Sequence, residues 1–282
     1  MPAALSSLQF CTVHHAIYLP PFGAFGDVHA LVELATGAEE AGWDGFFVWD
    51  HIHYEAEVPL ADVWVALSAV ATATSKIRLG PLVTPLPRRR PWKVARESVT
   101  LDHLSGGRLV LGVGLGIDFW REFSAFPGEA ADDGERAELL DDGIEIVTRL
   151  WSGERVTYRG RRLSVDGACF LPRPVQRPRI PLWSAALWPP ARPGPIRRAA
   201  RCDGVMPFKP EPITPDEAAQ LRDLVAAQRT TDAPFDVCVW GSPDRAAEYE
   251  AAGVTWLIDA FVGPDTPISD VQRAIAAGPS RT

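Results

Sequence analysis

The feature that most constrains the fold is an alternation of two hydrophobic periods along almost the whole chain. Short runs typical of buried strands are each followed by a longer segment whose apolar residues have helical spacing. The predicted strands cover residues 15–19, 45–49, 77–84, 108–113, 180–185, 203–206, 235–240 and 254–261. The predicted helices cover residues 27–41, 62–74, 91–104, 132–150, 194–201, 214–228, 242–252 and 268–277.

Eight strand–helix units predict an α/β protein in which a parallel sheet closes into a (β/α)8 TIM barrel; an open doubly wound sheet is the alternative. Residues 155–158 and 162–165 break the alternation and predict a small hairpin. It lies in an insertion of about residues 152–178, between the fourth helix and the fifth strand. We assign residues 14–282 to one barrel domain. We expect the preceding extension, residues 1–13, to be non-structural or to reflect a true start near Val13.

Composition excludes several classes of protein. With 28 Lys and Arg against 36 Asp and Glu, the net charge of −8 argues against binding to a nucleic-acid backbone. No apolar run approaches the roughly 20 residues that span a membrane. The four cysteines are scattered without a CxxC pair, and the N-terminus lacks the pattern of a signal peptide. We therefore expect a cytoplasmic protein without a nucleic-acid or membrane partner.

In a TIM barrel the active site lies on the loops that follow the C-terminal ends of the strands. The loop after the second strand begins with Asp50 and His51 and has the densest group of titratable side chains at any strand end. His51 can transfer protons near neutral pH, and Asp50 could orient it or accept a hydrogen bond from a cofactor. The alternative is a loop cap beside a surface histidine.

Glycines alternate at the end of the fourth strand, at residues 112, 114 and 116. They permit the close approach of a flat ligand or a phosphate, or else form a tight corner of the barrel. The segment is not a dinucleotide fingerprint, because Ile117 stands where GxGxxG requires its last glycine.

Ten tryptophans are a high number, and several lie near strand ends, where they could line a pocket for a planar ligand or simply pack the barrel. All six histidines precede residue 104, which makes a multi-strand metal site unfavourable, and we predict none. The basic run Arg88–Arg90 with Lys93 could receive a phosphate or an acidic cofactor tail, or be a solvated surface.

Five segments carry a resemblance to a known family: LVELATGAEEAGWDGFFVWDHI (31–52), SKIRLGPLVTP (75–85), TLDHLSGGRLVLGVGLG (100–116), PRIPLW (178–183) and RRAARCDGVMP (197–207). They resemble the bacterial luciferase-like family of flavin- or deazaflavin-dependent oxidoreductases. The resemblance runs from about residue 16 to residue 278. It implies a barrel with a redox cofactor at the C-terminal ends of the strands.

The resemblance also implies roles for individual residues. His51 looks like the active-site histidine of deazaflavin members, and Asp50 looks like a cofactor contact. Leu82–Val83 aligns with a bulge that is often a cis non-prolyl peptide in such members. The full set of cofactor-binding residues that we predict is Asp50, Leu82, Val83, Thr84, Val113, Gly114, Leu115, Gly116, Ala186 and Trp188.

One departure from the family concerns the loop after the fifth strand. Many members have a Gly/Ser-rich turn there that binds the cofactor phosphate at a helix N-terminus. Here the stretch is Ala185-Ala186-Leu187-Trp188-Pro189-Pro190, without a hydroxyl or a glycine. Phosphate binding at this loop is therefore in doubt.

The resulting hypothesis is an oxidoreductase that uses coenzyme F420 or reduced FMN, with F420 slightly favoured, on a small organic substrate. His51 would transfer the proton, and Phe22, His53 and Trp120 would shape the substrate pocket. We expect a homodimer, and a partner flavin reductase if FMN is used. The alternatives are a non-catalytic flavin-binding barrel and a metallo-hydrolase barrel.

Overall fold

The computed structural model of the protein describes residues 13–54, 57–263 and 265–281. Its strands, in chain order, are β1 (His14–Leu19), β2 (Gly45–Val48), β3 (Arg78–Pro81), β4 (Thr84–Pro85), β5 (Leu111–Gly114), β6 (Arg155–Arg159), β7 (Ser164–Cys169), β8 (Leu182–Leu187), β9 (Gly204–Phe208), β10 (Asp236–Trp240) and β11 (Trp256–Ala260). Its α-helices are α1 (Val28–Glu40), α2 (Val63–Ala73), α3 (Pro91–Leu104), α4 (Asp133–Leu150), α5 (Gly194–Ala199), α6 (Pro215–Ala226), α7 (Ala246–Ala251) and α8 (Ile268–Ala277).

Nine of the strands form one parallel sheet in the order β3-β2-β1-β11-β10-β9-β8-β5-β4. Its two terminal strands, β3 and β4, are consecutive in the chain and are separated only by Leu82 and Val83. A parallel bridge between Leu79 and Leu109 joins β3 to the segment that leads into β5 and closes the sheet. The predicted TIM barrel is therefore confirmed, with the third predicted strand divided into β3 and β4.

Local sequence explains where the helices begin and end. Asp27 caps α1 by accepting the backbone N–H of His29, and Gly42 follows the last helical turn with φ +86°. Pro91 opens α3, where its missing N–H costs no hydrogen bond. The helix predicted over 242–252 is instead a 3-10 turn followed by the short α7.

Side chains alternate between the two faces of the barrel wall. Along β8, Trp183 belongs to the cluster inside the barrel, while Leu182 and Ala186 pack outward against helices. The interior is filled by large residues such as Phe47 and Trp256, so the barrel is a packed core and not a pore. Function is thereby restricted to its open ends.

Strands β6 and β7 form a separate antiparallel pair between α4 and β8. Asp142 of α4 attaches this pair to the barrel: its carboxylate accepts the N–H groups of Arg162 and Leu163 at 2.7 and 2.9 Å and the hydroxyl of Tyr158 at 2.9 Å.

The expectation about the N-terminal extension falls on residues 1–12, outside the described residues, although Val13 itself is buried. Over the part of the chain that the structure describes, we find no helix with the length and apolar character required to cross a membrane.

Candidate active site

His51 and Glu122 form a close pair at the C-terminal end of the barrel. Nδ1 of His51 lies 2.8 Å from Oε2 of Glu122, and the other carboxylate oxygen accepts the N–H of Ile52 at 2.8 Å. The Glu122 side chain is 1% exposed and that of His51 is 12% exposed. A carboxylate on Nδ1 keeps the proton on that nitrogen, so Nε2 is left to exchange a proton with a ligand.

Glu122 is the residue that sequence reasoning missed. It lies in the irregular segment between β5 and α4, where neither hydrophobic period identifies a side chain. Asp118 anchors this segment by accepting the N–H groups of Phe123 and Ser124 at 2.8 and 3.1 Å. Burial works against ionisation of Asp118, but these hydrogen bonds hold its pKa below the usual range. One signal in the sequence could have identified Glu122. It is an acidic residue on the loop after the fourth barrel strand, and active-site residues of TIM barrels lie on such loops.

Asp50 is a buried acceptor surrounded by cations. Its carboxylate accepts hydrogen bonds from Oγ1 of Thr84 at 2.9 Å, from Nη2 of Arg88 at 3.1 Å and from Nη2 of Arg89 at 2.6 Å. Arg88 also donates to the carbonyl oxygen of Asp50 and lies 3.7 Å from Glu122. These contacts place Asp50 and Thr84 in an ion-pair network that supports the backbone on which His51 stands.

The basic run at residues 88–93 divides into an inner pair, Arg88 and Arg89, and an exposed pair, Arg90 and Lys93. As a whole it is neither a free phosphate-binding group nor a solvated surface. The Arg88 side chain is 1% exposed and serves the buried network with Arg89. Arg90 is exposed, and Lys93 pairs with Glu97 on the surface of α3. Neither of the two inner guanidinium groups is a free surface cation.

The peptide between Leu82 and Val83 is cis, as the resemblance implied. Tyr18 donates its hydroxyl proton to the carbonyl oxygen of Leu82 at 2.6 Å, and burial raises the pKa of this phenol, so that it stays a donor. The glycines on the neighbouring strand have a packing reason. A Cβ at Gly114 would lie 2.6 Å from Cγ2 of Val83, and one at Gly112 would lie 2.5 Å from the carbonyl oxygen of Pro81.

Solvent exposure changes along the rest of the fourth-strand segment. Val113 is buried in the outer core, whereas Leu115 and Gly116 are partly exposed beyond the end of β5. Gly116 has φ +75°, and a Cβ there would lie 2.8 Å from the ring of Phe123. At this end of β5, therefore, backbone atoms border the open end of the barrel more than side chains do.

A cavity of about 210 Å³ opens at the same end of the barrel. Aromatic side chains from four barrel strands or their loops form its walls: Tyr18, Trp49, Trp120 and Trp240. The predicted pocket residue Trp120 thus lines the cavity. Nδ1 of His53 forms a hydrogen bond with the carbonyl oxygen of Trp120 at 2.7 Å and so holds the backbone of Trp120 in place. Phe22 is buried, and its ring stacks on that of Tyr54.

Ala186 and Trp188 lie elsewhere. Both side chains belong to the outer hydrophobic cluster between the sheet and helices α5 and α6. Leu187, between them, is the exposed residue of this strand end.

A larger cavity, of about 340 Å³, lies at the opposite end of the barrel beside Arg222 and Arg229. Both arginines donate to backbone carbonyl oxygens there, and none of the predicted site residues is nearby. Within residues 13–54, 57–263 and 265–281, no group of three or more His, Cys, Asp or Glu side chains is arranged to hold a metal ion.

Comparison with known proteins places the chain in a wider context. A model of the luciferase-like monooxygenase family matches residues 8–262. An F420-dependent glucose-6-phosphate dehydrogenase of Nakamurella multipartita is 34% identical over 168 residues, which are 57% of this chain and 47% of the relative. The chain thus matches about half the length of this relative. An uncharacterized protein of Mycobacterium tuberculosis is 30% identical over 254 residues, or 83% of this chain and 86% of the relative.

Solved structures share the fold. The coenzyme F420-dependent tetrahydromethanopterin reductase of Methanopyrus kandleri superposes with a TM-score of 0.72 at 21% identity, covering 94% of this chain and 96% of the other. A monooxygenase from Streptomyces bottropensis gives a TM-score of 0.72 at 23% identity, with coverages of 93% and 96%. These similarities agree with the barrel fold.

Proposed function

We propose, from the premise that this chain belongs to the luciferase-like monooxygenase family, that it is an oxidoreductase using coenzyme F420 or FMN. Of the two cofactors we favour F420. Several curated relatives are F420-dependent glucose-6-phosphate dehydrogenases, and two-electron hydride transfer needs the proton-transfer group that the site offers. The substrate would be a small organic molecule.

The observation that carries this proposal is the His51–Glu122 pair. A hydride leaving or reaching a carbon that bears oxygen is accompanied by a proton leaving or reaching that oxygen. His51 can hold this proton on Nε2 because Glu122 stabilises the charged imidazolium through Nδ1 at 2.8 Å. Burial of Glu122 excludes water from that contact and fixes the ring orientation.

The residues around the cavity fit the flat ring of such a cofactor. The indole N–H of Trp49, which lines the cavity, is buried and has no hydrogen-bond partner among the described residues, so it can donate to a ring carbonyl or nitrogen. Trp120, Trp240 and the Leu82–Val83 bulge supply apolar contact surface. When bound, the cofactor supplies or accepts the hydride, and the protein positions it and moves the proton.

The loop after β8 does not fit the phosphate role that many members give it. Pro189, Pro190 and Pro193 lack backbone N–H groups, and α5 has only six residues. We therefore assign only the ring-binding part of the cofactor to named residues.

The proposal is tested by titrating the purified protein separately with F420 and FMN and following tryptophan fluorescence. Saturable quenching by F420 is the expected result. Binding of FMN alone would indicate an oxygenation in place of hydride transfer, with a partner reductase that supplies reduced FMN. Binding of neither cofactor would refute the proposal.

The role of His51 is tested in the same protein. His51→Ala is expected to lower turnover at least ~100-fold, as for loss of a general acid–base group, and to change cofactor affinity far less. Unchanged turnover would remove His51 from the mechanism.

A further inference from the structure

Basic side chains are concentrated in one short stretch of an otherwise acidic chain. Residues 155–179 contain seven arginines against a single acidic residue, Asp166, which gives them a formal charge of +6. Because the whole chain has a net charge of −8, the remainder carries −14. The basic stretch forms β6, β7 and the loop that leads to β8. A run of like charges is usually a solvated face, so the partners of each arginine decide its role.

Three of the seven arginines are paired with carboxylates of the barrel. Arg161 and Arg162 contact Glu138 at 3.3 and 2.7 Å, and Arg179 lies 2.9 Å from Asp203. The other four have no carboxylate within 4 Å among the described residues: Arg155, Arg159, Arg173 and Arg177. The charge of these four is therefore not balanced by a direct ion pair.

Two of the four lie together around Leu171, beyond the end of α4. A Cβ at Gly153 would lie 2.6 Å from Cγ of Arg173 and 3.3 Å from Cδ2 of Leu171, so both side chains cover this glycine. Arg155 is opposite Cys169 in the β6–β7 pair, two residues before Leu171. The hairpin and the following loop thus bring two separate arginines to one place.

Arg96 of α3 adds a third guanidinium group. Its Nη1 donates to the carbonyl oxygen of Leu171 at 2.5 Å, and its Cζ lies 4.2 Å from the centre of the Phe170 ring. The described residues place no carboxylate within 4 Å of it either. Three arginines from different elements therefore surround the backbone of Leu171.

Large aliphatic side chains are exposed among these arginines. Leu171 is 63% exposed, and Leu104 and Val175 are 46% and 44% exposed. His103, next to Leu104, forms a hydrogen bond with the carbonyl oxygen of Arg173 at 2.7 Å. Exposed apolar groups with a polar rim mark interaction sites. We define the basic–aliphatic patch by six residues: Arg96, Leu104, Arg155, Leu171, Arg173 and Val175.

A buried carboxylate holds the loop of this patch in place. Asp102 is fully buried and accepts the N–H groups of Val175 and Gln176 at 2.7 and 3.2 Å and the side-chain amide of Gln176 at 2.8 Å. Pro172 and Pro174 restrict the backbone further. A surface that is already ordered loses less conformational entropy when a partner binds.

We propose that the basic–aliphatic patch is a docking surface for an acidic, leucine-containing segment of another protein. Carboxylates of that segment contact Arg96, Arg155 and Arg173, in the way that arginine clusters recognise acidic motifs. Its leucines cover the exposed aliphatic side chains. The patch surrounds the C-terminal ends of α3 and α4, at the end of the barrel opposite to His51, so docking leaves the candidate active site open.

Charge and side-chain type favour this occupant over others. A twofold contact between two copies through this patch would place the arginines of one copy against those of the other, which like-charge repulsion opposes. Surfaces that bind single-stranded nucleic acid present aromatic rings for stacking, whereas the exposed apolar members of the patch are aliphatic.

A labelled peptide of four Glu-Glu-Leu repeats tests the proposal with the full chain, and fluorescence anisotropy measures its binding. We expect saturable binding that weakens with added salt and is at least ~10-fold tighter than that of the matching Glu-Glu-Ser peptide, because leucine burial is lost there. Absence of saturable binding, or equal binding of the two peptides, would overturn the proposal.

Variants locate the binding. Leu171→Ser should weaken it at least ~10-fold, and Arg155→Gln combined with Arg173→Gln roughly fivefold. All three positions are exposed, and thermal unfolding checks that the variants stay folded. The controls make the same changes at exposed positions outside the patch and should bind as wild type does: Leu224→Ser, and Arg192→Gln with Arg197→Gln. Equal losses in variants and controls would contradict docking at the patch.

Two further measurements test the other occupants. Vesicles of phosphatidylserine and phosphatidylcholine are sedimented with the protein, and its molecular mass is measured as a function of concentration. We expect neither vesicle binding nor self-association that depends on the patch. Vesicle binding that is lost in Leu171→Ser would assign the patch to a lipid surface, and self-association lost in that variant would assign it to a second copy. Either result would overturn the proposal.

Discussion

The two ends of the barrel both hold carboxylates that accept several hydrogen bonds, but the partners of these carboxylates differ. At the N-terminal end the partners are mainly backbone N–H groups: Glu39 accepts those of Ser75, Lys76 and Ile77, and Asp102 accepts those of Val175 and Gln176. At the C-terminal end Asp50 and Glu122 are balanced mainly by side chains of other loops.

The difference teaches what each end is built for. A carboxylate that binds successive backbone N–H groups fixes the path of one segment as it enters the next strand. A carboxylate that shares charge with arginine and histidine side chains couples several loops, and its charge can respond when a ligand or proton arrives. We therefore expect substitutions at the N-terminal end to affect stability and those at the C-terminal end to affect turnover as well.

The largest effect is expected from Glu122→Gln. The amide keeps the size of the side chain but no longer stabilises a charged His51, so turnover should fall ~100- to 10,000-fold, the range of general acid–base catalysis. Thermal stability should fall as well, because the change removes the buried negative charge that lies beside His51 and Arg88. Glu129→Gln, a partly exposed position on the same loop, is the control. Equal rates in wild type and Glu122→Gln would contradict the distinction drawn between the two ends.

Arg88→Met should give the largest loss of stability. It leaves Asp50 with a single arginine and takes the guanidinium from beside Glu122, and breaking a buried ion pair costs about 3–5 kcal/mol. Denaturant unfolding measures this loss, and Arg90→Met, at the exposed neighbouring position, should be close to neutral. A cost equal to that of the control would mean that the network contributes nothing.

Glu39→Gln tests the N-terminal end. Burial alone would raise the pKa of Glu39, but hydrogen bonds from Ile77, Lys76 and Ser75 lower it to about 2. Because the folded pKa is below the unfolded one, this stabilisation is complete above the unfolded value and disappears as pH falls through about 2.

At pH 7 we expect Glu39→Gln to lose about 1.5–3 kcal/mol of unfolding free energy, the range for hydrogen bonds to a charged group, with turnover unchanged. The loss should shrink steadily below pH 4. Glu40→Gln, the exposed neighbour, serves as the control. Lower turnover in a variant of normal stability would contradict the assignment of this end to stability.

The smallest effect is expected at Asp259 on β11. Burial raises the pKa of this carboxyl to about 6, and its Oδ1 has no hydrogen-bond partner among the described residues. Here the folded pKa exceeds the unfolded one, so the stabilising contribution is present at low pH and is lost as pH rises through about 6.

Asp259→Asn should therefore raise unfolding free energy at pH 7 but not at pH 4, whereas Asp232→Asn on an exposed loop should do neither. Chemical denaturation at the two pH values measures the difference. A gain of the same size at pH 4 would assign the effect to packing and not to charge.

The sequence predicted most of the barrel and about half of the charge network. Helix α3 has the predicted bounds because Pro91 and the apolar period mark both of its ends. Asp50 and His51 were identifiable because a short buried strand directly precedes them. Their partners were not: Glu122 is 71 residues from His51 and lies in a segment without regular structure. In the sequence Arg88 belongs to a run of basic residues typical of a surface, and only the folded structure shows that its side chain is buried beside Asp50.

The candidate site draws its parts from two halves of the chain. The His51–Glu122 pair and the ion pairs around it come from residues up to 122, whereas most of the cavity wall comes from residues 206–262. The proposed proton-transfer groups and most of the cavity wall therefore belong to separable stretches of sequence. We expect that exchanging the second stretch, by recombination or by design, would change which ligands the cavity accepts and would leave the His51–Glu122 pair in place.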